Sequence, residues 1–392
     1  MSSQQKVVPF VFAAIISLGT QAFTPSPGAP EIGVLSTDNH SGLNDGVIVT
    51  RSDAKADMVD ILDLSKFPPK LKDTIQVSGS VQGPPMAVSV ARDGSFAIVT
   101  SSSKQDPQNP TKTVVDNRVS VIDLKSSPPR VVQQVEAGAG ASSAAVSPDA
   151  TLALVANRAE GTVSIYTVKN GQLQPVGKLD LGNPKSGPSG IRFLPDGKTA
   201  LLTRDNDHMV SILHINGTTI SIDPRPLTTG VKPYGLDITP DGKWAVVGNM
   251  GRMDGDMDTV SLIDLSQTPF RTVQTFSVAS EPEGIKFSPD GKVLAVAAQD
   301  GSNKGSTSPF YHDHGTLFLY SMDGAPQHVK QLAALPVGKW NQGIAFSRDG
   351  STIMVENMVE RNLSVFRFQH GKLTAAEPLP VSGGAESIGT AW

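Results

Sequence analysis

Two short stretches of this sequence carry side chains that bind metals. Tyr311-His312-Asp313-His314 places two imidazoles at i and i+2, which project to one side of an extended segment. Imidazole with carboxylate suits zinc or copper, and His208 is the candidate third ligand. Asp254-Gly255-Asp256-Met257-Asp258 alternates carboxylates as a calcium loop begins. The glycine and distal glutamate such a loop needs are replaced by Thr259 and Leu265. Met250, Met253 and Met257 add thioethers that copper(I) accepts. The candidate cofactors are therefore Zn, Cu and Ca, and the competing reading of both stretches is ordinary surface loop.

A second set offers acid–base and anion chemistry. Arg51, Arg158, Arg204 and Arg252 recur through the chain with Glu283, Glu356 and Glu386. A guanidinium fork pairs bidentately with carboxylate or phosphate. Glu283 or His312 acting on water as a general base, with an arginine beside the developing oxyanion, would suit hydrolysis at a carbonyl carbon. The competing reading is that these charges pair with one another in a solvated opening. No G-x-S-x-G elbow is present, which argues against a serine nucleophile.

The elements that must position these groups follow from internal repetition. A tight-turn signal recurs as Asn44-Asp45-Gly46, Arg92-Asp93-Gly94, Pro148-Asp149-Ala150, Pro195-Asp196-Gly197, Pro240-Asp241-Gly242, Pro289-Asp290-Gly291 and Arg348-Asp349-Gly350, at intervals of roughly 45–59 residues. Asp-Gly between β-rich runs marks a hairpin. Apolar runs such as Val119-Ser120-Val121-Ile122 and Val260-Ser261-Leu262-Ile263 keep step with the turns. The pattern predicts an all-β, seven-bladed β-propeller of four-stranded antiparallel blades A to D, with the Asp-Gly turns joining A to B. In the first unit, strands B to D are expected from Val47 to about Gln76. The chain's last residues, from Glu386, are expected to supply its strand A and close the ring, which removes open sheet edges.

Ala153-Leu154-Val155-Ala156-Asn157 and Ala245-Val246-Val247-Gly248-Asn249, each followed by a Val-Ser-Ile or Val-Ser-Leu strand, resemble the YVTN-type propellers and the lactonase-like propellers grouped with them. The resemblance covers nearly the whole chain after its N-terminal segment, and it implies a lactonase-like hydrolase or related lyase.

Propeller geometry places the long B–C loops on one face, the usual location of function. The starts of strand A (Met86, Ser143, Ser189, Tyr234, Glu283, Gln342, Glu386) should face the channel mouth there. The ends of strand B (Ser101, Asn157, Arg204, Asn249, Ala298, Asn357, with Arg51 or Ser52 in the first unit) should do the same. The expected ligand-binding set is Arg51, Arg158, Arg204, Tyr234, Asn249, Arg252, Gln342, Glu356, Asn357 and Glu386. Three functions remain open: a hydrolase or lyase acting on a small anionic or carbonyl-bearing ligand, a metal-binding protein, and a scaffold for a protein partner.

Composition narrows the partners. No run of Lys or Arg occurs, so nucleic acid is excluded as a partner. The chain has no cysteine, which excludes disulfides, thiolate metal sites and covalent c-type haem. Lys6, the apolar stretch Val7 to Leu18 and Thr20-Gln21-Ala22 read as a signal peptide, residues 1–22, too short to remain as a membrane span. A loose lead over residues 23–34 and a single propeller domain over 35–392 would follow, in a periplasmic or secreted protein.

Overall fold

The computed structural model describes residues 30–391 apart from residue 327. Every regular element among them is a strand. Nine antiparallel sheets form among the described residues: seven are blades with strands in the order A-B-C-D, and two are two-stranded hairpins. Blade 6 shows the logic: A is Pro282–Phe287, B is Val293–Ala298, C is Gly315–Ser321 and D is Lys330–Val337. Strand B reads Val-Leu-Ala-Val-Ala-Ala and is buried along its length, because neighbouring blades cover both its faces. Strand D alternates between exposed and half-buried residues, as the outer rim requires.

The A–B turns are tied by a repeated side-chain device. In blade 6, Ser288 Oγ donates to Asp290 Oδ1 at 2.6 Å and accepts from the Val293 amide at 2.9 Å. Gly291 supplies the positive φ of 72° that closes the turn. Ser147 with Asp149 and Thr239 with Asp241 repeat the contact, each at 2.7 Å. The core is a series of interfaces between blades. Phe346, Ile353 and Phe366 of blade 7, for instance, pack on Ala295, Leu317 and Leu319 of blade 6.

The C-terminal strand closes the ring. Gly384–Thr390 pairs antiparallel with Ile32–Asp38, setting Ile388 opposite Leu35. Ala385 and Ile388 join one cluster with Leu62 of blade 1 and Ala345 and Met354 of blade 7.

Blade 1 departs from expectation in one respect. Its strand B is the fully buried Ile32–Asp38, with C at Met58–Asp63 and D at Lys70–Gln76. Val47–Thr50 instead pairs with Ser41–Asn44 as a hairpin inserted between B and C. Asn44-Asp45-Gly46 turns that insertion, with φ of 43° at Asp45 and 80° at Gly46. Because strand A of this blade comes from the far end of the chain, no covalent A–B turn exists there for an Asp-Gly signal to mark. Strand B also begins inside the segment expected as a loose lead. The signal segment, residues 1–22, lies outside the described residues.

Candidate active site at the channel mouth

Ser189, Tyr234, Glu283 and Gln342 each occupy the second position of a strand A, on neighbouring blades 4 to 7. Strand alternation brings in a second tier from just beyond strand B: Arg158 after Leu152–Asn157, Asp205 after Thr199–Arg204, and Gln299 after Val293–Ala298. The two tiers meet. Arg158 Nη1 donates to Ser189 Oγ at 2.7 Å, its Nη2 pairs with Asp205, and the guanidinium lies 5.3 Å from the centroid of the Tyr234 ring. Glu283 Oε2 accepts from the amide groups of Gln299 and, at 3.3 Å, Gln342.

Burial pushes the Glu283 carboxyl up to about 7. The nearby Glu281 charge adds to this, while Gln299, Arg158 and Lys232 partly offset it. Burial disfavours the charge on Arg158, but Tyr234, Asp205 and Glu283 outweigh it and hold the group firmly cationic. A cavity of about 30 Å³ is lined by Glu283, Pro85, Met86 and Arg192 among others. That is room for one or two waters. A buried base near neutrality, a fixed cation and space for water make up the chemistry of this half of the mouth.

The other half is sealed. Gly79 and Gly83 lie against Glu386 and Gln342 so closely that a Cβ would stand 2.7 Å from Glu386 Oε1 and 2.9 Å from Gln342 Oε1. The segment 79–86 thus runs over these groups, and the Met86 side chain reaches Gly190 of blade 4. Glu386 is wholly buried and accepts from Ser36 Oγ at 2.6 Å, and Glu356 accepts from the Gly343 amide. Burial raises Glu386 well above the usual carboxylate range and pushes Glu356 up to about 8.

A carboxyl whose folded pKa exceeds its unfolded value stabilises the fold at low pH. That contribution is complete below the unfolded pKa and is lost as pH rises through the folded one. The melting temperature should therefore fall between about pH 5 and pH 9, through the Glu356 value of about 8. Glu356→Gln, which needs no proton, should flatten the decline and stabilise the protein at pH 9 by on the order of 2–4 kcal/mol. Thermal unfolding followed across that range would read the effect.

Several expected site residues point elsewhere. Arg204, Asn249 and Asn357 end their B strands with side chains turned sideways within the blade, since alternation sends the following residue inward. Asn249 Nδ2 donates to Thr259 Oγ1 at 3.1 Å and Ser261 Oγ at 3.0 Å. Asn357 Nδ2 donates to Asn362 Oδ1 at 2.7 Å, and its Oδ1 accepts from the Gly338 amide at 2.8 Å. Arg204 donates to the Leu181 carbonyl at 3.2 Å and pairs with Asp207. These three latch loops to strands. Arg51 is exposed beyond the inserted hairpin and pairs with Asp53 at 3.3 Å, and Arg252 is exposed on the blade 5 B–C loop.

The histidines do not converge. His208 Nδ1 accepts from the Lys232 amide at 3.1 Å. His312 Nδ1 lies 2.7 Å from the Asp300 carbonyl, and His314 Nδ1 lies 2.6 Å from Asp313 Oδ1. His312 and His314 share the blade 6 B–C loop, His208 lies on that of blade 4, and the three do not come within ligand distance of one another. Asp254 and Asp256 stay exposed while Asp258 turns inward to accept from the Glu281 amide at 2.8 Å, so the calcium pattern is not assembled. Among the described residues, the one group with metal-ligand proximity is Asp38, His40 and Asp57. Its carboxylates already accept backbone amides of Asn39, His40, Ser41 and Gln82, and the group anchors the inserted hairpin.

Sequence reasoning missed Asp205, Gln299 and Lys232, and counting one residue past each strand B would have found the first two. It also missed that the inserted hairpin reaches blade 6: Asp45 Oδ1 at its tip accepts from the Ser306 amide at 2.6 Å.

The family model described as "Lactonase, 7-bladed beta-propeller" matches residues 52–308. The chain belongs to that family. Its propeller is similar to a periplasmic gluconolactonase from Pseudomonas aeruginosa, at 17% identity and a TM-score of 0.68 over 91% of this chain and 98% of that one. It is also similar to a candidate 6-phosphogluconolactonase from Bacteroides uniformis, at 14% identity and a TM-score of 0.70 over 92% and 99%. A protein of unknown function from Desulfotomaculum acetoxidans shares the fold too, at 14% identity and a TM-score of 0.67 over 92% and 98%. At such identities the likeness is one of fold. No curated protein matches the chain. In this lactonase-family propeller, the one arrangement among the described mouth residues that pairs a near-neutral base with a fixed cation is Glu283 with Arg158.

Proposed function

We propose that the protein hydrolyses a small lactone at the channel mouth. The observation that carries this reading is the juxtaposition of the buried Glu283 carboxyl, pushed to about 7, with the Arg158 guanidinium that Ser189, Asp205 and Tyr234 hold in place. Glu283 takes a proton from water, and the water oxygen attacks the lactone carbonyl carbon. The carbonyl electrons move to oxygen, and that charge is stabilised by Arg158. As the tetrahedral species collapses, the ring C–O bond breaks. The departing oxygen takes the proton back, leaving a hydroxycarboxylic acid.

Arg158 and Lys232, whose charges both act on Glu283, favour a substrate that carries an anionic group of its own. Family membership and the gluconolactonase name of one structural relative support sugar-derived lactones as the first class to try. The N-terminal apolar segment and the periplasmic relative support export. Ring opening releases acid, so base consumption at constant pH reads it directly. With gluconolactone and its 6-phosphate, the wild type should show saturable hydrolysis above the spontaneous rate. Arg158→Met should lower kcat by about 10²–10³-fold. A variant that hydrolyses either lactone as fast as the wild type would remove Arg158 from the mechanism.

A further inference from the structure

Blades 4 and 7 share a departure from the common blade. Their strand D comes in two pieces, Thr219–Ile222 with Leu227–Thr228 in blade 4 and Lys372–Ala375 with Leu379–Pro380 in blade 7. In each case the next blade around the ring joins its C and D strands through a Ser-x-x-Pro turn. That turn is Ser266-Gln267-Thr268-Pro269 in blade 5 and Ser65-Lys66-Phe67-Pro68 in blade 1. The two inter-blade clefts are therefore built alike, and their residues correspond one to one. His214 matches Arg367, since each pairs with the threonine that opens its strand B, Thr199 or Thr352. Thr268 matches Phe67 within the turn.

The clefts differ in what fills them. Between blades 7 and 1, the Arg367 guanidinium lies over the Phe67 ring, 4.6 Å from its centroid, a favourable cation–π arrangement. Between blades 4 and 5, His214 and Thr268 stand in those places and both line a cavity of about 870 Å³. Its floor is Leu194, Ile212, Leu227 and Leu265, all buried in the cluster that joins the two blades. Phe270, where blade 1 has Pro69, adds an aromatic wall. Small-molecule sites enclose roughly 300–1,000 Å³, with apolar linings and a few polar groups. The charges around the cavity balance: Arg225, Lys243 and Arg271 face Asp196, Asp223 and Asp241. Lys243 pairs with Asp241 at 3.2 Å, and His214 Nε2 lies 3.0 Å from Asp223 Oδ2. Charge therefore selects no ion here, and shape and ring chemistry are left to do so.

We propose that the cleft between blades 4 and 5 binds a small uncharged molecule with an aromatic ring, which takes the place that Phe67 holds between blades 7 and 1. The ring packs on the apolar floor beside Phe270 and the His214 imidazole. Covering that floor removes apolar surface from water, and ring-to-ring contact adds to the gain. The site lies outside the lumen, is separate from the lactone site and does not depend on it.

Isothermal titration at pH 7 with 2-naphthol, and with decahydro-2-naphthol as the saturated control, tests the proposal. The naphthol should bind saturably at one site, and the saturated alcohol about threefold or more weakly, the margin that aromatic contacts supply. The double variant His214→Arg with Thr268→Phe copies the other cleft's plug and should weaken the naphthol tenfold or more. Both side chains are exposed, so the blade core is left intact. Should the double variant fail to fold, Thr268→Phe alone decides. Glu283→Gln, in the lumen, should leave binding unchanged. The proposal is overturned if the naphthol does not bind, if its saturated analogue binds as well, or if Glu283→Gln rather than the cleft variants removes binding.

Discussion

Glu283→Gln should reduce kcat for lactone hydrolysis by about 10²–10⁴-fold, the usual contribution of a positioned general base. The substitution preserves shape and burial but removes the group able to take a proton from water. Fold stability should not suffer, since the buried carboxyl is disfavoured when ionised: its pKa is raised to about 7 by burial and by Glu281. The pH profile separates catalysis from structure. In the wild type, kcat should climb on the acid side with its midpoint near 7, because the base works only when deprotonated. The residual rate of the Gln variant should show no such limb. Stopped turnover with a normal melting curve and unchanged KM would assign Glu283 to the chemical step. A Gln variant with wild-type kcat would move the base elsewhere in the mouth.

Truncation after Gly383 should abolish cooperative folding. The segment removed contains the whole of strand A of blade 1, Gly384–Thr390, with six residues paired to Ile32–Asp38. Each lost backbone hydrogen bond costs on the order of 1 kcal/mol, and exposing Ile388 adds about 1.5–3 kcal/mol. The loss spreads beyond one blade. Ser387 Oγ accepts from the Val88 amide of blade 2 at 3.0 Å, and Ile388 packs with Ala345 and Met354 of blade 7. Together these terms rival the entire 5–15 kcal/mol stability of a typical domain, and the open edge of Ile32–Asp38 would invite aggregation. Urea unfolding followed by circular dichroism should show a broad, non-cooperative loss of β signal. Restored cooperativity on adding the missing strand as a peptide would tie the effect to closure. A truncated chain with the normal midpoint would mean the ring does not need this strand.

The sequence by itself determined the blade, the number of blades and the closing strand. Turn chemistry and two-residue periodicity are local: Ser288, Asp290 and Gly291 make their turn from contacts within five residues. A local signal repeated through the chain is legible without coordinates. The same locality misled the reading of Asn44-Asp45-Gly46, a true hairpin turn whose place in the blade depends on pairing with the chain's other end. Alternation identified Tyr234, Glu283 and Gln342 as lumen residues, because strand A faces the lumen with a fixed period.

Tertiary structure decided the rest. Arg158 and Arg204 are alike in sequence, yet one residue of offset at the end of strand B sends Arg158 to Ser189 and Tyr234 and sends Arg204 to Asp207. Glu283 and Glu386 hold matching positions, yet Glu386 lies against Gly79 of a segment whose path no periodicity specifies, whereas Glu283 accepts from Gln299 and Gln342. The histidines at 208, 312 and 314 fail to meet because separate backbone and side-chain contacts fix them on the loops of two different blades. Repeating hydrogen bonds and burial patterns are written along the chain, whereas distances between loops and the charge state of a buried carboxyl arise only when distant segments exclude water together.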